Sequence, residues 1–113
     1  MKIIHKPIKK DVILKMHNRF FKTMIKAVVD TNREVMALDA ELHADLEQLL
    51  LSEGCKQENL WGINLFLQKE RAEWIEYTAL INIRPSMDNP SMEVQNPRIR
   101  KKIARMVNTL ITE

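Results

Sequence analysis

The sequence predicts an α+β fold: an antiparallel sheet of about four main strands with an N-terminal and a C-terminal helix packed on one face. Three observations lead there. Ile8, Val12, Ile13, Met16 and Phe20 recur at helical spacing near the start, and Ile99, Ile103, Met106, Val107, Leu110 and Ile111 do so near the end. Between them lie runs rich in β-branched and aromatic residues, MIKAVVD, LWGINLFL and EWIEYTALINIR, separated by turn chemistry.

Taken in order, Lys2 to His5 is a short edge strand stopped by Pro7, and residues 8 to 20 form a basic amphipathic helix. MIKAVVD and EVMALDA flank TNR, which makes a hairpin with Asn32 as the residue suited to a left-handed turn conformation. Residues 41 to 54 fit two patterns. As a helix, Leu42, Leu46, Leu49 and Leu50 form a stripe and Gly54 a stop. As a strand, Leu42, Ala44, Leu46 and Leu50 face one way while Glu41, His43, Asp45 and Glu47 face the other; this alternation accounts for more of the polar positions and is preferred.

SEGCKQEN is a loop, and the runs at 60 to 67 and 73 to 84 form a second hairpin whose later strand ends at Pro85. An irregular stretch follows until Asn96 and Pro97, a helix-start pair of N-cap residue and first-turn proline.

The 113 residues suit one domain spanning 1 to 113, and a single cysteine, Cys55, excludes an internal disulfide and suits a reducing cytoplasm. No run reaches the ~20 apolar residues of a membrane span, and no signal-peptide core follows the basic N-terminus. Charge is unevenly spread. Residues 1–29 hold eight Lys or Arg against one acid, residues 30–76 four against eleven, and residues 77–113 six against three. Such a dipolar field suits intramolecular complementarity or contact between copies; the basic run RIRKKIAR offers phosphate contacts for a nucleic acid, but a solvated helix face is the commoner outcome.

Aligning the runs by loop length puts Glu47, Asn64 and Glu76 abreast on one polar sheet face, with Glu41, His43, Asp45, Thr78, Asn82 and Arg84 on the same side and Gly62 leaving a gap. Trp61, Ile63 and Leu65 then face the core, while Trp74 points outward as a contact residue. A solvated face needs no further cause. The functional alternative is a binding or interaction module that self-associates through this face or Trp74. A small hydrolase is the runner-up, with His43 and Glu76 as proton-transfer groups, Asp45 and Glu47 as ligands of a divalent cation, and Arg84 holding an anionic ligand. No zinc-type spacing supports a metal, and Cys55 lacks a placed histidine partner, although Lys56 beside it would lower its pKa.

The motifs ELHAD, QENLWGIN, INIRPS and NPRIRKKI give the chain, from about Ala27 onward, a resemblance to a family of short prokaryotic proteins catalogued as a domain of unknown function. The resemblance implies no activity. It marks Glu41, His43, Asp45, Trp61, Gly62, Asn64, Asn82, Arg84 and Ser86 as motif positions, and so adds Ser86 to the binding candidates. This sequence carries Glu53, Gly54 and Cys55 where members have an aspartate-glycine-serine turn, and lacks the arginine expected after Asn89.

Overall fold

The computed structural model describes all 113 residues. Its elements run β1 (Lys2–Ile4), β2 (Ile8–Lys9), α1 (Lys10–Met16), β3 (Ile25–Asp30), β4 (Val35–Leu38), α2 (His43–Ser52), β5 (Leu60–Leu65), β6 (Ile75–Glu76), α3 (Pro97–Leu110) and β7 (Ile111–Thr112). The fold is α+β. Its antiparallel sheet has five strands in the order β1-β4-β3-β5-β6, and β2 and β7 form a separate parallel pair that ties the two ends of the chain together.

The sheet is covered on both faces. On one, Ala27 and Val29 of β3, Met36 and Leu38 of β4, and Trp61, Ile63 and Leu65 of β5 share a core with Ile13 of α1 and Ile103, Met106 and Val107 of α3. On the other, Val28, Ala37 and Leu60 pack against Leu46 and Leu50 of α2. Burial of these apolar surfaces, worth about 25 cal/mol per Å², is the main force holding the three layers together.

Helix α2 corrects the strand expected from ELHADLEQ. Alternating ionisable residues do not specify a strand when every residue from His43 to Ser52 is compatible with a helix and none is β-branched. The decisive spacing is that of Leu46 and Leu50, four apart and both fully buried, while Leu42 (53% exposed) and Ala44, the other expected core positions, face solvent. Gly54, with φ of +93°, ends the helix. Cys55 N–H donates to the Leu50 carbonyl and Gly54 N–H to that of Leu51, the paired bonds of a glycine-terminated helix.

The β3–β4 hairpin forms as expected, with Val28 opposite Ala37. Its turn differs in detail. Asp30 Oδ1 accepts from the N–H groups of Asn32 and Arg33, and the left-handed residue is Glu34 (φ +57°), not Asn32. The β5–β6 register also follows loop length, with Asn64 opposite Glu76.

Trp74, however, is 1% exposed. Its backbone is in the right-handed helical region, which breaks strand alternation and turns the indole into the larger core, where Nε1 donates to the Lys69 carbonyl. The long strand expected to Arg84 likewise ends at Glu76. Beyond it the chain crosses the α2 face of the sheet through a 3-10 turn at Leu80–Asn82. No helix is long and apolar enough to cross a membrane.

Candidate functional site

The crossing is possible because residue 62 is glycine. A Cβ there would lie 2.5 Å from Ala79 Cβ, 3.1 Å from Ile81 Cγ1 and 3.3 Å from His43 Cδ2, so only a bare backbone lets the segment and α2 close over β5. Continued antiparallel pairing from Asn64 and Glu76 would bring Thr78 opposite Gly62. Instead the Asn82 carboxamide, wholly buried, takes that place. Its Oδ1 accepts from Gly62 N–H at 2.8 Å, while its Nδ2 donates to the Gly62 carbonyl at 2.9 Å and the Met92 carbonyl at 3.0 Å. Asn89 orders the loop behind it: Nδ2 donates to the carbonyls of Asn82, Ser91 and Glu93, and Oδ1 accepts from Gln95 N–H.

Between the start of α2 and this crossing segment opens a cleft of about 530 Å³. Its walls are mainly apolar: Met24, Leu42, Leu80, Ile81 and Met92. Its polar groups are few: Lys26, His43, Asn64 and Thr78, with no carboxylate among the lining side chains. Concavity, apolar walls and a few convergent polar groups are the usual marks of a small-molecule site.

His43, at the first turn of α2, is 9% exposed. Its Nε2 lies 2.9 Å from the Ile63 carbonyl. A carbonyl only accepts, so Nε2 carries the proton and Nδ1 keeps a lone pair. Burial lowers the imidazole pKa most, Lys26 lowers it further, and the Ile63 carbonyl and Asn64 oppose them, leaving the ring neutral at pH 7. Asn64 donates through Nδ2 to Glu76 Oε1 at 2.7 Å and to the Thr78 carbonyl, while its buried Oδ1 receives no well-formed hydrogen bond but lies close enough to the His43 imidazole to favour its charged form. Leu42 at the N-cap supplies no side-chain acceptor; Asp45 N–H turns back to the Leu42 carbonyl at 3.2 Å, and the N–H groups of His43 and Ala44 have no side-chain cap.

The other residues singled out in the sequence fall elsewhere. Glu76 is exposed and meets the cleft only through Asn64. Glu41 and Asp45 line a second, broader cleft of about 700 Å³ with Arg19, Phe20 and Met1, on the far side of Leu42. Glu47 turns toward Arg84, whose guanidinium donates to the Gln57 and Leu60 carbonyls and stacks 4.4 Å from the centre of the Trp61 ring. Glu47 Oε2 and Arg84 Nε are both buried without hydrogen-bond partners. Arg84 thus clamps backbone, as Asn82 does, and is not presented to the cleft. Ser86 is exposed on the 3-10 turn Pro85–Met87. No three His, Cys, Asp or Glu side chains converge on a metal-binding arrangement, so His43, Asp45 and Glu47, close in sequence, are not one ligand set.

Cys55 is buried, and its thiol is pushed up to about 11 by burial first and then by Asp30, with Arg33 opposing them. It is a poor nucleophile rather than one activated by Lys56.

Sequence reasoning singled out His43 and Asn64, which line this cleft, but not Lys26 or the apolar walls. Lys26 carries a signal, a lone cation at alternate spacing within an otherwise apolar run, but Leu80 and Met92 reach the cleft only through the crossing that Gly62 and Asn82 permit.

Comparison with curated proteins and comparison with solved structures each give no match. A family model described as a protein of unknown function, DUF5674, matches residues 2–110, nearly the whole chain, and the protein therefore belongs to that family.

Proposed function

We propose that this protein is a small-molecule binding module whose site is the cleft between α2 and the crossing segment, with His43 as its polar anchor. The observation that carries the reading is the state of that imidazole. It is neutral, its Nε2–H is spent on the Ile63 carbonyl, and its Nδ1 lone pair remains to receive a ligand donor. Asn64 supports the site from the floor.

Protein-observed NMR with a fragment library tests it. Bound fragments should shift the amides of Leu42, His43, Asn64, Leu80 and Ile81, and Leu80→Glu should abolish the shifts without unfolding the chain, since Leu80 is 70% exposed. Hits that map to the Arg19 and Asp45 cleft, or none at all, would refute the assignment.

A second reading, self-association, draws support from charge. The α1 and α3 layer is basic, the α2 segment is rich in acids, and Phe20 and Leu42 are exposed beside the acidic cleft. Contact between opposite layers of two copies predicts a mass that rises with concentration and falls with salt. Nucleic acid competes for the same basic layer, and retardation of an oligonucleotide at low salt would favour it. The hydrolase reading has weaker support. His43 has a lone pair fit for a base, but Glu76 does not reach it, and Asp45 and Glu47 point in different directions. A buried, unpaired thiol accords with a cytoplasmic setting.

A further inference from the structure

The cleft's polar groups are of two kinds, and a head group must satisfy both. The donors are the Lys26 side chain, whose ammonium lies 5.3 Å from the centre of the Phe21 ring, and the N–H groups of His43 and Ala44 at the start of α2, which no side chain caps and where the helix dipole is positive. The acceptors are the His43 Nδ1 lone pair and Asn64 Oδ1, the latter on a side chain only 7% exposed and with no hydrogen-bond donor in the chain. No carboxylate lines the cleft itself: Asp45, in the first turn of α2, and Glu41 open onto the neighbouring one, and Glu76 is held by Asn64 Nδ2. A simple cation finds no counter-charge there. A plain anion satisfies the donors but leaves both acceptors empty, and a buried acceptor left empty is costly.

Resting on the binding reading above, we infer that the cleft takes an apolar-tailed carboxylic acid carrying a hydrogen-bond donor next to the acid group, a 2-hydroxy or 2-amino acid in chemical class. The carboxylate sits at Lys26 and the α2 N-terminus. The adjacent hydroxyl or amine donates toward His43 and Asn64. The tail lies along Leu42, Leu80, Ile81 and Met92, and Leu80 and Met92, exposed in the empty protein, become covered.

The test is a matched set of three probes titrated into the folded protein and followed by NMR. They are 2-hydroxyoctanoate, octanoate, which lacks the donor, and 1,2-octanediol, which lacks the acid. The expected order is 2-hydroxyoctanoate tightest, with the diol weaker by about tenfold, the usual worth of one charge-assisted hydrogen bond. Octanoate should be weaker by a smaller factor. Lys26→Met should remove most of the acid's advantage over the diol and leave the diol unchanged, with the dispersed amide spectrum of the variant confirming that it folds.

Equal affinity for the diol and the acid, or an acid preference that Lys26→Met leaves undiminished, overturns the anionic half of the inference while the binding cleft stands. Equal affinity for octanoate and 2-hydroxyoctanoate overturns the donor half. If none of the three shifts the cleft amides, this ligand class is wrong, and the fragment experiment alone then decides whether the cleft binds anything.

Discussion

Replacing Asn82 by aspartate changes one nitrogen to oxygen and keeps the shape of the side chain, so it isolates the hydrogen bonds by which the carboxamide imitates a strand. The Gly62 N–H keeps its acceptor. The carbonyls of Gly62 and Met92, now 2.9 and 3.0 Å from a donor, would face a carboxylate oxygen in a site with no solvent exposure. Each buried acceptor left empty costs about 1–3 kcal/mol, giving about 2–6 kcal/mol before the cost of burying the charge. Against a total stability of about 5–15 kcal/mol for a domain, this is a large fraction.

The loss must also depend on pH. A buried carboxyl beside two carbonyls has its pKa raised above the unfolded value of about 3.9, because the protonated form donates an O–H and the ionised form cannot. A group with a raised folded pKa stabilises below the unfolded value and loses that contribution as pH rises through the folded one. Urea unfolding at pH 5 and pH 8 should therefore show the variant's deficit growing toward the alkaline side, from about 1–3 kcal/mol when one donor is restored to several kcal/mol when none is. A variant within about 0.5 kcal/mol of the wild type at pH 8 would mean that Asn82 does not stand in for a strand, since that is the range of an ordinary surface change.

Other substitutions probe neighbouring features. Gly62→Ala forces a methyl to within 2.5 Å of Ala79 Cβ and should cost about 1–3 kcal/mol in urea unfolding, partly recovered in the double variant with Ala79→Gly; an unaffected single variant refutes the close crossing. His43 titrates below its ordinary value of 6.5, so its contribution is intact above that pH and is lost as pH falls through the folded pKa. Imidazole NMR should place the midpoint below 6.5, and His43→Gln should flatten the acid limb of the stability curve, leaving the share due to His17, also lowered by burial. Cys55, with its thiol at about 11, is ionised to roughly one part in a thousand at pH 8 and should resist alkylation until the protein is unfolded; rapid labelling of the folded protein would contradict its burial.

Much of the sheet was legible because the signals were local. MIKAVVD and its partner across TNR carry strand propensity on both sides of turn residues, and LWGINL has the residue pattern that put Trp61, Ile63 and Leu65 in the core. Asn96 and Pro97 announced α3, and Asn96 Oδ1 does accept from the N–H groups of Arg98 and Ile99. What failed depended on other parts of the chain. ELHADLEQ satisfied period two in its polar residues and helical spacing in Leu46 and Leu50, and only the open sheet face above Val28 and Ala37 decides between them. Trp74 left the strand pattern through one helical backbone step. Asn82 and Arg84 were singled out as ligand contacts because they are polar and face the right side, but a side chain that binds backbone looks the same in sequence as one that awaits a ligand. His43 and Asn64 were singled out as individuals, whereas the cleft they line assembles from the stretch before β3, α2, β5 and the crossing segment, which no single window of sequence contains.

The way β5 ends its pairing also bears on solubility. β6 spans only two residues, and past it the outward N–H and C=O of Gly62 and the C=O of Leu60 would form an open rim of the sheet. Such a rim is a template onto which a strand from another molecule can add. Here it is closed by the tips of two side chains, which satisfy the backbone groups but present no new row of them. A change at Asn82 or Arg84 would uncover a short sticky edge flanked by Trp61 and Ile63. The first sign of damage in such a variant should then be sedimentation of folded protein at concentrations where the wild type stays dispersed.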